Sequence, residues 1–242
     1  MALEFIDLIV AIFSFIYVLA NITISIKIIW KYNTFKSINI LLMGIAWIGL
    51  AFPWIPDVLN PLYEIIDPGH NNNGIIVLNY IVNVVIISIP IICWIIAILN
   101  LLSVRKSFKY TILISVILII LIFETILLLL FTTDLISGAI HVYNYTSDIL
   151  DVFLLVVLVI ILVSGMIFAG VSIKSSNKVV KIKGIFLIIA FTLFPIGALI
   201  DMVISGITSN IVARLILCIS SIIFYFGLIM PTWVKKKLIK EE

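Results

Sequence analysis

The sequence predicts an all-α, multi-pass membrane protein of seven transmembrane helices, and three observations support this fold class. Hydrophobic residues make up 64% of the chain and charged residues 11%, whereas soluble domains contain about 45–50% and about 25%. The mean hydropathy is +1.38. The apolar residues form seven continuous stretches, and basic residues follow every second stretch. A soluble domain, a disordered chain and a nucleic-acid-binding protein are therefore excluded.

Each apolar stretch has the length of a membrane helix, which needs about 20 apolar residues to cross about 30 Å of hydrocarbon. The stretches lack the alternation of a membrane β-barrel, and helices satisfy their own backbone hydrogen bonds in lipid. Pro53 lies near the end of the second, short stretch. The chain is therefore predicted to be one seven-helix domain, residues 1–242, with spans at about 8–28, 38–55, 75–102, 110–131, 149–173, 184–204 and 211–230.

The charges predict how the spans are oriented. All basic residues except Arg214 follow spans one, three, five and seven, whereas most acidic residues lie at the opposite ends of the spans. Cytoplasmic loops carry an excess of Lys and Arg, so the N-terminus is expected outside and the C-terminus in the cytoplasm of the cell membrane. Because Glu4 and Asp7 precede span one in place of basic residues, this span is expected to be a mature helix and not a signal peptide.

The two cysteines are expected to remain unpaired. Cys93 lies about 18 residues into span three and Cys218 about seven residues into span seven, so their depths differ by about 16 Å at the rise of an α-helix. A disulfide cannot reach across this distance. Both residues are interpreted as small apolar side chains.

Three polar residues are expected to meet in the outer half of the membrane. A charged side chain at the centre of a membrane helix costs about 2.5–3.5 kcal/mol, so it usually faces the protein interior. Glu124 in span four is expected about 10 Å below the outer boundary, and Asn79 and Asn83 in span three about 6 and 12 Å below it. Two interpretations are open: a structural hydrogen bond between helices, or a ligand or proton site.

A second pair of polar residues lies at the outer ends of spans six and seven. Asp201 and Arg214 both fall within about 5 Å of the outer boundary, given the rise of a helix. An ion pair is therefore expected, either as a structural clamp or as an arginine that a ligand anion releases. Pro195, six residues before Asp201, is expected to kink span six, and it is a candidate hinge unless it only shapes the bundle.

Motifs of catalysis and cofactor binding are not found in the sequence. It contains no GxGxxG, no Walker loop, no HExxH and no Cys/His set at metal-ligand spacing. The protein is therefore expected not to be an enzyme and not to hold a metal. Asn144-Tyr145-Thr146 is an N-x-Thr triplet in a predicted outer loop, which makes Asn144 a candidate glycosylation site.

The size and helix number resemble those of the microbial rhodopsins, in which retinal forms a Schiff base with a lysine of the seventh helix. The seventh span here, IVARLILCISSIIFYFGLIM, contains no lysine, and the third span contains no Asp or Glu. The chain therefore departs from that family at the residues its chemistry requires. No retinal or other cofactor is expected.

Four segments carry a second resemblance. They are AWIGLAFPWIP in span two, Asn83 followed by IPIICW in span three, KGIFLIIAFTLFPIGALID in span six, and FYFGLIMPTWVKK at the end of span seven. With these segments the chain resembles uncharacterised seven-helix integral membrane proteins of Asgard archaea. The last segment is also similar to the final helix of seven-helix sensor modules of prokaryotic histidine kinases. The first resemblance implies the seven-helix fold and no particular activity.

The leading hypothesis is a receptor-like or sensory membrane protein with an outward-facing polar pocket. The loops on the basic side are too short to form a catalytic or DNA-binding domain, so any output would pass through a separate cytoplasmic partner. The alternative is a small-solute transporter or channel component, which would need polar groups in the inner half as well. There Asn100, Ser164 and Thr192 are scattered. The expected partner is the lipid bilayer, no nucleic-acid partner is expected, and ligand and oligomeric state are not predicted.

Overall fold

The computed structural model describes residues 5–66, 81–137, 143–204 and 206–238, which form helices and turns without a β-strand. Within these ranges, seven helices are long and apolar enough to cross a membrane, which confirms the predicted number of spans and the multi-pass membrane class. Their helical cores are α1 Phe5–Trp30, α2 Ile38–Gly49, α3 Ile87–Leu101, α4 Lys106–Ser137, α5 Tyr143–Ile173, α6 Lys178–Val203 and α7 Ile207–Leu228. Short helices, Tyr32–Phe35 and Thr232–Leu238, follow α1 and α7.

Six of the helices form a closed ring, and the seventh lies outside it. Around the ring, α1 packs between α7 and α2, α3 packs between α2 and α5, and α6 packs between α5 and α7. Helix α4 contacts α3 and α5 from outside and is the least buried of the seven spans. Its apolar side chains therefore face the bilayer over most of the helix surface.

Span two is bent near its predicted end. Pro53 has no backbone N–H to continue an α-helix, and the chain instead forms a 3₁₀ turn over Phe52–Trp54 and then a helix over Ile55–Ile66. The apolar span runs over Ile38–Leu59, somewhat longer than the predicted 38–55. The bend carries the Ile55–Ile66 helix across α1.

Span three is described from residue 81, so residues 75–80 of its predicted range lie outside the described residues. It begins with a π-helical turn, Ile81–Ile86, and continues as α3. Pro90 lies inside α3 and packs on Gly49 of α2, where an added Cβ atom would overlap the proline ring. Glycine at position 49 therefore allows α2 and α3 to approach closely.

Helices α6 and α7 begin before the predicted boundaries 184 and 211. The side chain of Asn177 accepts hydrogen bonds from two backbone N–H groups and caps α6. Gly206, with φ +151°, precedes α7 in a conformation that favours glycine. The predicted boundaries mark the apolar parts of these helices, whereas the helices themselves continue into polar residues.

The two ends of the bundle differ in charge. We call the end where α1 and α7 begin the acidic end, because it holds Asp57 and Asp201. The opposite end is the basic end, and it holds Lys36, Lys109 and Lys183.

An aromatic layer fills the centre of the ring between the two ends. Trp47 of α2 stacks on Phe224 of α7 with ring centroids 3.4 Å apart, and Trp94 of α3 meets Phe191 of α6 edge-on at 5.4 Å. Phe194 completes the layer against Trp47. All five side chains are buried, so large apolar groups occupy the middle of the bundle.

Candidate functional site

The acidic end carries a charged cluster around Arg214, whose side chain is only 3% exposed. Its Nη1 atom forms an ion pair with Oδ1 of Asp201, and its Nη2 atom donates to Oδ2 of Asp57 at 2.6 Å. Its Nε atom donates to Oγ of Ser14 at 3.0 Å. Trp54 donates from Nε1 to the other oxygen of Asp201 at 2.7 Å. We call these five residues the acidic-end cluster.

The acidic-end cluster joins four segments of the chain. Ser14 lies on α1, Asp201 on α6 and Arg214 on α7, whereas Trp54 and Asp57 lie at and after the bend of span two. Nε and Nη2 of the guanidinium donate hydrogen bonds, whereas Nη1 is held by the ion pair with Asp201 and makes no hydrogen bond within the described residues. These contacts offset part of the cost of burying the charge. The cluster therefore fixes the relative positions of α1, α6, α7 and the Ile55–Ile66 helix.

The ion pair expected between Asp201 and Arg214 is present, but Arg214 also pairs with a second carboxylate, that of Asp57. Asp57 is not among the site residues that the sequence predicts, although its carboxylate binds the same guanidinium. The available signal is Pro53, which predicts a break in span two but not the direction in which Asp57 turns. With two carboxylates and one arginine, the cluster has a formal charge of −1. Asp57 is the more exposed acid, at 37% against 18% for Asp201.

A strip of buried polar side chains continues from the cluster along α1. Ser14, Tyr17, Asn21 and Ser25 recur at helical spacing on one face and are fully buried. Asn21 donates from Nδ2 to the hydroxyl of Tyr17 at 3.1 Å and to Oγ of Ser221 on α7 at 3.5 Å. Ser25 donates to the backbone oxygen of Asn21 at 2.8 Å. This α1 polar strip covers about 16 Å of helix and is not predicted from the sequence.

Glu124 links α4 to span three through a residue that the sequence does not single out. Oγ of Ser88 lies 2.5 Å from Oε1 of Glu124 and 3.0 Å from the backbone oxygen of Val84. Asn83 is buried in the π-helical turn, and its Oδ1 atom has no hydrogen-bond partner within the described part of the chain. Asn79 lies outside the described residues. The expected meeting of Glu124 with the two asparagines therefore stays a prediction.

Two further predicted residues have clear positions. Helix α6 continues through Pro195 without interruption, and Oγ of Ser220 donates to the backbone oxygen of Ala190 in the preceding turn at 3.0 Å. A hinge at Pro195 stays a prediction. Asn144 belongs to the first turn of α5 and not to a separate loop, and its side chain lies outside the described residues. Its glycosylation also stays a prediction.

The thiols and the possible metal ligands form no site in the described part of the chain. Cys93 and Cys218 are free thiols, as predicted. Within the described ranges, no group of three His, Cys, Asp or Glu side chains could hold a metal ion.

A cavity of about 410 Å³ opens at the basic end of the ring. Residues of α2, α3, α5, α6 and α7 line it, and its polar side chains are Asn39, Ser172, Ser175 and Lys183. Nζ of Lys183 donates to the backbone oxygen of Leu228, at the end of α7, at 2.8 Å. We call this space the basic-end cavity. It is not predicted from the sequence, because the lysine that marks it is one of several that follow span five.

Comparison with known proteins gives no relative. No protein-family model matches the chain, and no match was found among curated proteins or among solved structures. The functional inferences therefore depend on the chain's own residues.

Proposed function

We propose that the protein is a receptor-like, sensory membrane protein. In this proposal the acidic end faces outward, the N-terminus lies outside and the C-terminus lies in the cytoplasm of a cell membrane. The acidic-end cluster is the ligand-responsive site, and the output passes to a separate cytoplasmic protein. The distribution of Lys and Arg supports the orientation.

One observation carries the proposal: a single buried guanidinium connects four segments at one end of the bundle. Arg214 binds Asp57, Asp201 and Ser14 at the same time. A ligand that takes one of these partners leaves a buried charge with fewer contacts, which is unfavourable unless the helices move. Binding at this position therefore changes the relative stability of two arrangements of α1, α6 and α7, as a sensor requires.

The charge of the cluster indicates the chemical class of the ligand. Its formal charge is −1, and Asp57 is the carboxylate that solvent reaches most easily. A cationic group such as an ammonium would compete with Arg214 for Asp57, whereas the Trp54 ring is buried and its centroid already lies 5.6 Å from the guanidinium carbon of Arg214. We therefore assign a small organic cation to this site in preference to an anion.

The α1 polar strip provides a route for the signal. One of its hydrogen bonds, from Asn21 to Ser221, joins α1 to α7, the same helices that contribute Ser14 and Arg214 to the cluster. Hydroxyl and amide groups can exchange partners at small cost when helices shift, whereas a close-packed apolar contact has one arrangement. A change at the cluster can therefore reach the basic end along this interface.

The centre of the bundle favours sensing over transport. The aromatic layer fills the space between the acidic-end cluster and the basic-end cavity with Trp47, Trp94 and three phenylalanines. A transporter would need a polar path or a second arrangement that opens this layer. The connections after α1, α3 and α5 are short, which supports a separate partner for the output.

Hydrogen–deuterium exchange of the protein in lipid nanodiscs tests the proposal. Asp57→Asn removes one carboxylate charge from the cluster with little change in shape, and Val212→Ala changes an exposed position on α7 close to Arg214. We expect Asp57→Asn to speed exchange near Leu228, at the basic end of α7, while α4 is unchanged and Val212→Ala has no such effect. A change confined to the acidic end would make the cluster a clamp and contradict the proposal.

Uptake measurements separate sensing from transport. Proteoliposomes that contain the protein are supplied with radiolabelled methylammonium, and the Asp57→Asn variant serves as control. We expect no accumulation above protein-free liposomes. Accumulation that depends on Asp57 would instead support the transporter.

A further inference from the structure

The side chains that line the basic-end cavity can still donate hydrogen bonds to a ligand. Nζ of Lys183 donates once, to the backbone oxygen of Leu228, and an ammonium group has three donors and no acceptor. Oγ of Ser175 accepts from the backbone N–H of Asn177 at 3.2 Å, which leaves its hydroxyl proton to donate. Both side chains line the cavity. A ligand group that meets them must therefore accept hydrogen bonds.

The amide of Asn39 is oriented in the same way by a chain of three residues. Nζ of Lys109 contacts Oδ1 of Asn100, and because an ammonium can only donate, this atom must be the amide oxygen. Nδ2 of Asn100 then donates to Oδ1 of Asn39 at 2.9 Å. The Nδ2 group of Asn39 has no hydrogen-bond partner within the described ranges and is left as a third donor at the cavity.

The charge and shape of the cavity narrow the class of ligand. Lys183 is the charged side chain of the lining, and no carboxylate is among the described residues that line it. The rest of the wall is mainly apolar, including Ile40, Met43, Leu101, Phe168, Leu187 and Leu228. A volume of about 410 Å³ is in the range of small-molecule sites, about 300–1,000 Å³. Three hydrogen-bond donors beside a mostly apolar wall match a ligand that has an anionic head group and an apolar chain.

We propose that the basic-end cavity binds an amphiphilic anion. Its carboxylate or phosphate group accepts hydrogen bonds from Lys183, Asn39 and Ser175, and its aliphatic chain lies against the apolar wall towards Leu187. Two sources supply this chemistry: a free fatty acid, and an anionic lipid of the surrounding bilayer. The site is at the opposite end from the acidic-end cluster, so it does not depend on the function proposed above.

Competition binding in nanodiscs tests the site. The protein is placed in neutral phosphatidylcholine nanodiscs with a dansyl-labelled undecanoate as fluorescent probe, and laurate and dodecyltrimethylammonium are the competitors. We expect laurate to displace the probe and the cation of equal chain length to do so at least about tenfold less well. A second arm replaces part of the phosphatidylcholine by phosphatidylglycerol. Loss of probe binding there assigns the site to bilayer lipid, and unchanged binding assigns it to free fatty acid.

Two lysine variants of α6 test whether laurate binds in the basic-end cavity. Lys183→Met keeps the aliphatic stem and removes the charge, and we expect it to weaken laurate binding at least about tenfold. Lys181→Met, an exposed position two residues earlier that does not line the cavity, is expected to bind as the wild type does. Thermal unfolding in detergent checks that both variants are folded, and Lys183→Gln replaces Lys183→Met if the latter is not. Equal affinity for laurate and the alkylammonium, or equal losses in the two variants, would overturn the assignment.

Discussion

The acidic-end cluster and the basic-end cavity hold their cations, Arg214 and Lys183, in opposite ways. Arg214 has a partner at every guanidinium nitrogen, two of them carboxylates. Among the described residues, Lys183 makes one hydrogen bond, to the backbone oxygen of Leu228, and it lines an open cavity. Because an unpaired charge in a low-dielectric environment is costly, the paired arginine stabilises the helices it joins. The lysine instead leaves donors for a ligand.

The difference teaches that polar side chains in membrane helices must be judged by their remaining hydrogen-bonding capacity. At the acidic end each guanidinium nitrogen already lies against a partner, so a ligand must displace one of these partners to reach Arg214. At the basic end it is available, so a ligand can bind without breaking a contact. The two ends are therefore expected to respond differently to the loss of their cation, and the aromatic layer between them keeps the two sites apart.

The largest loss of stability is expected from removing one ring of the aromatic layer that lies between the two ends. Phe224 is fully buried and stacks on Trp47, so Phe224→Ala should lower the free energy of unfolding by about 3–5 kcal/mol. Phe15 of α1 is 52% exposed on the outer surface, and Phe15→Ala is the matched control with a small expected effect. Unfolding by sodium dodecyl sulfate in mixed micelles measures both. Similar losses in the two variants would mean that the layer is not the packed centre.

Removing Arg214, the cation of the acidic end, should lower the free energy of unfolding by a somewhat smaller amount. Arg214→Leu leaves Asp57 and Asp201 without their counter-charge, and a loss of about 2–3 kcal/mol is expected, below the value for a fully buried pair because Asp57 is partly exposed. The triple variant that also carries Asp57→Asn and Asp201→Asn removes the unpaired charges. It should recover most of the stability in the same unfolding measurement. A triple variant as unstable as Arg214→Leu would show that packing, and not charge pairing, dominates.

A smaller effect is expected at Glu124, outside the ring. Glu124→Leu leaves Ser88 without its partner across the α3–α4 contact and should destabilise by about 1–2 kcal/mol. Glu124→Gln should stay within about 1 kcal/mol, because its amide can donate to Oγ of Ser88 while Ser88 donates to Val84. Thermal stability in detergent compares the two. If both variants unfold like the wild type, the contact contributes nothing and α4 is held by apolar packing alone.

The smallest change in stability is expected from removing Lys183, the cation of the basic end. Lys183→Met loses one hydrogen bond to the oxygen of Leu228 and keeps the apolar stem, so the free energy of unfolding should change by less than about 1 kcal/mol. Measured beside Arg214→Leu, this variant gives the sharpest contrast between the two ends. A loss as large as that of Arg214→Leu would mean that Lys183 is a structural cation and that the ends do not differ.

The sequence predicts the number of spans because each span is a continuous apolar stretch of the length that lipid demands. It also predicts the pairing of Asp201 with Arg214, since the short connection between α6 and α7 brings both residues to one end. The pairing of Arg214 with Asp57 depends on the bend at Pro53, whose direction follows from packing against α1. Such long-range contacts are not encoded in local hydropathy.

The polar strip and the cavity are harder to predict for a different reason. Tyr17, Asn21 and Ser25 recur at helical spacing, but small polar residues are tolerated in membrane helices and do not by themselves mark a buried face. The basic-end cavity arises from side chains of five helices, and no single segment carries its signature. Lys183 has the same sequence context as the neighbouring lysines, and only its position on the inner face of α6 distinguishes it.

The side of the membrane that the acidic end faces is the most direct test of the receptor assignment. Thr208, in the first turn of α7, and Ser176, between α5 and α6, are exposed at opposite ends of the bundle. Each is replaced by cysteine in a background that carries Cys93→Ala and Cys218→Ala, and intact cells are treated with a membrane-impermeant maleimide. We predict that Thr208→Cys is labelled and that Ser176→Cys is labelled only after the cells are opened. Labelling of Ser176→Cys alone on intact cells would place the acidic-end cluster in the cytoplasm and contradict an outward-facing receptor.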